Sequence, residues 1–110
     1  MTETRLSLAT NLKTLRARYD LTQAVLAEKA KISLGYLGDI EVGRKFPSPE
    51  RLDRLAKVLF VQAWQLLMPP PELAAYRKYL ETLDLYENFA ERIESMLEEK
   101  FDAYLAQKGN

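Results

Sequence analysis

The sequence predicts an all-α protein: a five-helix domain followed by a C-terminal amphipathic helix or helical hairpin. Three observations carry that expectation. Apolar residues recur at spacings of three and four along most of the chain, which stacks them on one face of a helix. Thr22, Ser33 and Ser48 each stand just before such a pattern, where a side-chain oxygen can accept from the otherwise unpaired first-turn amides. Pro69-Pro70-Pro71 then interrupts the periodicity, because proline lacks an amide donor and its ring clashes with the preceding turn. The expected organisation is a domain over residues 1–68, a stiff extended spacer over 69–71 and a helical segment over 72–110.

Within the first domain, a helix is expected from about Arg5 to Tyr19, with Leu8, Leu12 and Leu15 on one stripe and Lys13, Arg16 and Arg18 around it. The next stretch, Thr22 to Gly43, reads TQAVLAEKAKISLGYLGDIEVG and gives two start signals. Thr22 caps one helix while Leu21 is placed to pack on Leu26; Ser33 caps another while Ile32 is placed to pack on Leu37. Leu26, Ala27, Ala30, Ile32, Leu37 and Ile40 face inward, and the small Ala27 permits a close crossing of two helices at a tight corner. Gly43 falls just past the second helix, the usual place for a left-handed residue.

Ser48 caps a fourth helix with Pro49 at its first position, and Leu52, Leu55, Ala56 and Leu59 form its inward face. Val61, Trp64, Leu66 and Leu67 predict a short fifth helix that closes the core, with the lone tryptophan inside it.

From Glu72 to Gln107 there is neither glycine nor proline. Tyr76, Tyr79, Leu83, Tyr86, Ala90, Ile93, Leu97, Phe101 and Tyr104 alternate at three and four. One helix of this length would span roughly 54 Å; a break near Asp84 into two helices is the competing expectation. Leu85, Phe89 and Met96 widen the face beyond a two-stranded seam, and it is too apolar to stay wet. Pairing with a second copy through Tyr79, Leu83, Tyr86, Ile93, Leu97, Phe101 and Tyr104 is favoured over packing back on the first domain or binding a different protein partner. The polar side of this segment is acidic, whereas helices that lie on membranes are basic there.

The chain of 110 residues holds one domain with an appendage. Cysteine and histidine are both absent, which removes disulfides, thiolate nucleophiles, histidine bases and the usual zinc ligands. No catalytic residues, metal site or cofactor are expected, and the protein is not read as an enzyme. No stretch has the form of a signal peptide or a membrane span, so a cytoplasmic location is expected. Net charge is zero but unevenly spread: residues 1–68 hold eleven Lys and Arg against seven acids, and residues 72–110 hold five against nine. A basic front with an acidic tail fits binding of a polyanion by the front alone.

The runs LTQAVLAEKA, ISLGYLGDIEVGRKFPS and LDRLAKVLFV, over roughly residues 8–68, resemble the lambda-repressor-like, or Cro/CI-type and XRE, helix-turn-helix transcription regulators. The most specific marks are Thr22-Gln23, Leu26-Ala27, Ile40-Glu41-x-Gly43 and Pro47-Ser48. Two departures stand out: Lys31 occupies a turn position commonly glycine in the family, and the reading helix carries Gly35 and Gly38. The resemblance implies double-stranded DNA as partner, a homodimer on a two-fold-symmetric operator, and a structural ion pair between Arg16 and Glu41.

In that motif the second helix enters the major groove with its N-terminal residues toward the bases. The candidate base readers are therefore Ser33, Leu34, Gly35, Tyr36 and Asp39. Leu34 suits a thymine methyl, Ser33 and Tyr36 can donate or accept, and Asp39 can accept from cytosine. The helix has no Arg, Asn or Gln for bidentate readout. Candidate phosphate contacts are Thr22 and Gln23, which open a helix, and Arg44 and Lys45, which leave the reading helix at the groove edge. An antitoxin or restriction-controller role shares this domain, and a protein-interaction module with a degenerate motif is the alternative from another class.

Overall fold

The computed structural model describes residues 2–108, and every regular element among them is a helix. In order these are α1 (Glu3–Arg18), α2 (Gln23–Ala30), α3 (Leu34–Glu41), α4 (Pro49–Val58), α5 (Ala63–Leu66) and α6 (Pro70–Lys108). The chain divides into two compact units at the junction of Ala74 and Ala75.

The first unit is built by local cap chemistry and one shared core. Thr22 Oγ1 accepts from the Val25 amide at 3.1 Å, Ser33 Oγ from Tyr36 at 3.1 Å and Ser48 Oγ from Arg51 at 3.3 Å; each cap is worth about 1 kcal/mol. Pro49 takes the first helical position of α4, where no amide is needed. The amphipathic stripes converge: Leu8, Leu12 and Leu15 of α1, Leu26, Ala27 and Ala30 of α2, Leu37 and Ile40 of α3, and Leu52, Leu55 and Ala56 of α4 form one buried cluster with Leu59, Leu66 and Leu73. Each leucine in it contributes roughly 1.5–3 kcal/mol. Leu21 and Ile32 pack half-buried against the same cluster, as the paired staples require. α3 touches both α1 and α2, and α2 also touches α4, so α3 is fixed from two sides.

Three departures from expectation have physical reasons. Trp64 is 54% exposed rather than in the core. In a helix of only four residues, capped where the Gln62 amide donates to Gln65 Oε1 at 2.7 Å, Gln65 and Leu66 turn inward and Trp64 falls on the outer side. Pro70 and Pro71 lie in the first turn of α6 rather than in an extended spacer, because first-turn residues need no intrahelical donor and proline's fixed φ suits them. The core therefore reaches past the prolines to Leu73, and the unit boundary lies beyond the expected 68. Of the two forms open to the C-terminal segment, the single helix is the one adopted, with no break near Asp84.

Polar contacts lock the closing turn. Asn11, buried in α1, donates from Nδ2 to the carbonyls of Leu66 and Met68 at 2.9 and 2.7 Å, which satisfies an otherwise costly buried amide and orphan carbonyls together. At the α2 end, Lys31 adopts the left-handed conformation at φ 58°, a strain of about 1 kcal/mol for a side chain other than glycine. Arg54 Nε donates to the Ala30 carbonyl at 2.8 Å there.

In the second unit, the stretch of α6 from Ala75 onward carries the apolar face. Tyr79, Leu83, Tyr86, Ile93, Leu97, Phe101 and Tyr104 are all exposed on the single chain, as are Leu85, Phe89 and Met96. No helix among the described residues is long and apolar enough to cross a membrane.

Candidate nucleic-acid interface

The corner formed by α2 and α3 is held from beneath by one buried carboxylate. Glu41, at the end of α3, is only 2% exposed. Arg16 grips it with both arms of the guanidinium, Nε to Oε2 at 3.1 Å and Nη2 to Oε1 at 3.0 Å, and also donates through Nη1 to the Leu21 carbonyl at 3.1 Å. Gln23 Nε2 adds a third donor to Oε1 at 3.1 Å. α1, the start of α2 and the end of α3 are thereby tied at one point. The Gln23 side chain is committed to this clamp; what it offers a phosphate is its backbone position in the first turn of α2, where amides lack intrahelical acceptors.

Above the clamp α3 presents its other side. Leu37, Ile40 and Glu41 are buried, while Ser33, Leu34 and Gly35 are exposed and Tyr36, Gly38 and Asp39 half-buried. The Ser33 hydroxyl is engaged as the cap of α3. A Cβ added at Gly35 or Gly38 would meet nothing within 4 Å, so neither glycine is demanded by packing inside the chain.

Gly43, at φ 76°, reverses the chain at the end of α3 and brings Arg44 and Lys45 back over it. Their amides donate to the Asp39 carbonyl at 2.8 and 3.2 Å, and their side chains fold onto its carboxylate. Asp39 is thus joined to both cations in the free chain. Lys45 Nζ also lies 5.6 Å from the centre of the Tyr36 ring, and the Arg51 guanidinium 4.8 Å from it. Such cation–ring contacts are worth about 0.5–1 kcal/mol when exposed. Arg51, in the first turn of α4, joins the basic rim as a residue sequence reasoning missed; the signal was its place three residues past the Ser48 cap, beside the loop that carries Arg44 and Lys45. Lys31 stands elsewhere, lining a shallow depression with Lys29, Arg54, Lys57 and Val58.

The arrangement has no metal-binding cluster among the described residues. What it presents is a short helix with small and apolar side chains at its exposed N-terminal end, flanked by a capped helix start and by a rim of three cations.

Comparison with known proteins identifies the family of the fold. The family described as a helix-turn-helix domain matches residues 7–63. The immunity repressor protein of Bacillus phage phi105 is 45% identical over 51 residues, covering 46% of this chain and 35% of that protein, so the match spans about a third of that relative's length. Among solved structures, the hypothetical transcription factor NHTF from Neisseria is 30% identical with a TM-score of 0.62, covering 64% of this chain and 79% of that one. The clp gene regulator ClgR from Corynebacterium glutamicum is 30% identical with a TM-score of 0.58, covering 76% and 88%. The restriction-modification controller protein C.AhdI from Aeromonas hydrophila is 26% identical with a TM-score of 0.54, covering 56% and 94%. This chain belongs to the helix-turn-helix family of DNA-binding transcription regulators, of the lambda-repressor-like, XRE type.

Proposed function

We propose that the protein occupies a two-fold-symmetric operator in cytoplasmic DNA as a homodimer. The observation that carries this reading is the division of α3 into a buried side, Leu37, Ile40 and Glu41, and an exposed N-terminal end, Ser33, Leu34 and Gly35, next to Tyr36. Ser33, Leu34, Gly35 and Tyr36 meet base edges in the major groove; the first turn of α2 at Thr22 and Gln23, together with Arg44, Lys45 and Arg51, meets phosphates. With no Arg, Asn or Gln along α3, base discrimination rests on apolar and hydroxyl contacts and affinity rests mainly on the backbone.

The two copies pair through the exposed face of α6, with Tyr79, Leu83, Tyr86, Ile93, Leu97, Phe101 and Tyr104 at the seam. Each large side chain buried there adds roughly 1.5–3 kcal/mol before entropic losses, and a dimer matches the symmetry of a palindromic site. A restriction-controller role is the variant that the likeness to C.AhdI favours. Should α3 read no sequence, the α6 face would instead recruit a different protein.

Fluorescence anisotropy of the full-length chain on a labelled duplex tests the reading. Binding should weaken steeply with added salt. Absence of any salt-dependent duplex binding would sink it.

A further inference from the structure

Asp39 holds two of the three cations that the DNA-binding reading assigns to phosphates beyond α3. Arg44 Nη1 lies 3.1 Å from its Oδ1 and Lys45 Nζ 3.2 Å from its Oδ2. The backbone enforces the grouping: the left-handed turn at Gly43 returns the amides of Arg44 and Lys45 to the Asp39 carbonyl, so the two side chains start beside the carboxylate. The carboxylate is 23% exposed, while Arg44 and Lys45 are 74% and 53% exposed. Ion pairs this open to water are easily exchanged for other partners. A phosphate can therefore draw either cation away, but the carboxylate stays fixed in the last turns of α3 as a negative charge at the interface.

Two consequences follow from placing one acid between two phosphate-binding bases. The cations are held near the edge of α3, which limits the rotamers they lose on binding. The local charge facing any duplex is reduced from two positive charges to one, so counterion release and affinity fall for every sequence alike.

We infer that Asp39 is a positioning residue: it restrains Arg44 and Lys45 and lowers affinity for duplex DNA irrespective of sequence. The inference rests on the DNA-binding reading above, and it replaces a cytosine contact as the role of this side chain.

The test compares the full-length chain with Asp39→Asn, Asp39→Ser and Asp39→Glu by fluorescence anisotropy, on a labelled duplex of mixed sequence over a series of KCl concentrations. Asn and Ser remove the charge through different side chains, so a folding defect peculiar to one, seen by circular dichroism, leaves the other to decide. Both should bind roughly fivefold tighter at low salt, the size of one unit charge about 4 Å from a phosphate in water. Their affinity should also fall more steeply with salt, by about one unit of log–log slope. Glu, which keeps the charge, should stay near the parent chain. Equal or weaker binding by Asn and Ser, or tightening by Glu as well, overturns the role given to Asp39 while leaving DNA binding intact. A parent chain that binds no duplex removes the DNA-binding reading, and this inference with it.

Discussion

Arg16 and Glu41, twenty-five residues apart, form a two-armed ion pair at 3.0 and 3.1 Å beneath the reading helix. Because Glu41 is buried, removing Arg16 leaves its charge with Gln23 as its one remaining side-chain donor among those described. Replacing Arg16 by Ala should therefore cost about 3–5 kcal/mol, measured by urea unfolding at fixed protein concentration. Changing both residues together, Arg16→Met with Glu41→Leu, should cost less than either single change. A loss under about 1 kcal/mol for Arg16→Ala would mean the pair does not hold the corner.

Gly38 and Gly35 weaken α3 without any packing reason inside the chain. Gly38→Ala should raise stability by about 0.5–1 kcal/mol, the usual gain where glycine leaves a helix interior. Gly35→Ala, in the first turn of α3, should stabilise less and weaken duplex binding, since the proposed function puts its new methyl at the end of α3 that meets the bases. Thermal unfolding and anisotropy on the same two variants check both expectations.

How much of this was legible in the sequence depended on the range of the chemistry involved. Thr22, Ser33 and Ser48 could be read as caps because a cap involves residues three apart, and Leu26, Leu37 and Ile40 as core because periodicity is local. Pro70 and Pro71 were misleading because the features that break a helix interior are harmless in its first turn. Trp64 was misleading because four residues of α5 are too few for a pattern to define a face. The partners of Asn11 and Asp39 had no sequence signal at all. Asn11 reaches carbonyls 55 and 57 residues away, and the carboxylate of Asp39 meets its cations only because Gly43 folds the chain back. The family resemblance supplied the Arg16–Glu41 pair, which spacing alone would not have named.

Arg44 and Lys45 are assigned to phosphates rather than bases. Replacing either by Ala should lower duplex affinity to a similar degree on different sequences and reduce the salt slope by about one. Salt titrations on two unrelated duplexes provide the comparison. Loss confined to one sequence would reassign the residue to base readout, and no loss on either would remove it from the interface.

Ending the chain after Ala74 keeps Leu73 in the core and removes the exposed face of α6. The shortened protein should remain helical and monomeric in sedimentation equilibrium, whereas the full chain should be a dimer. Its operator affinity should collapse, because each half-site is then held without its linked twin. A full-length monomer at micromolar concentration, or a shortened chain that still dimerises equally well, would show that this face does not make the dimer.

The central claim, that this chain reads a two-fold-symmetric operator through α3, is tested most directly by selecting bound sequences from random duplex DNA with the full-length protein. The account predicts a consensus of two inverted half-sites whose centres lie about one helical turn apart, or a multiple of it. Selected pools with no enrichment over the starting library, or with a consensus lacking two-fold symmetry, would contradict it.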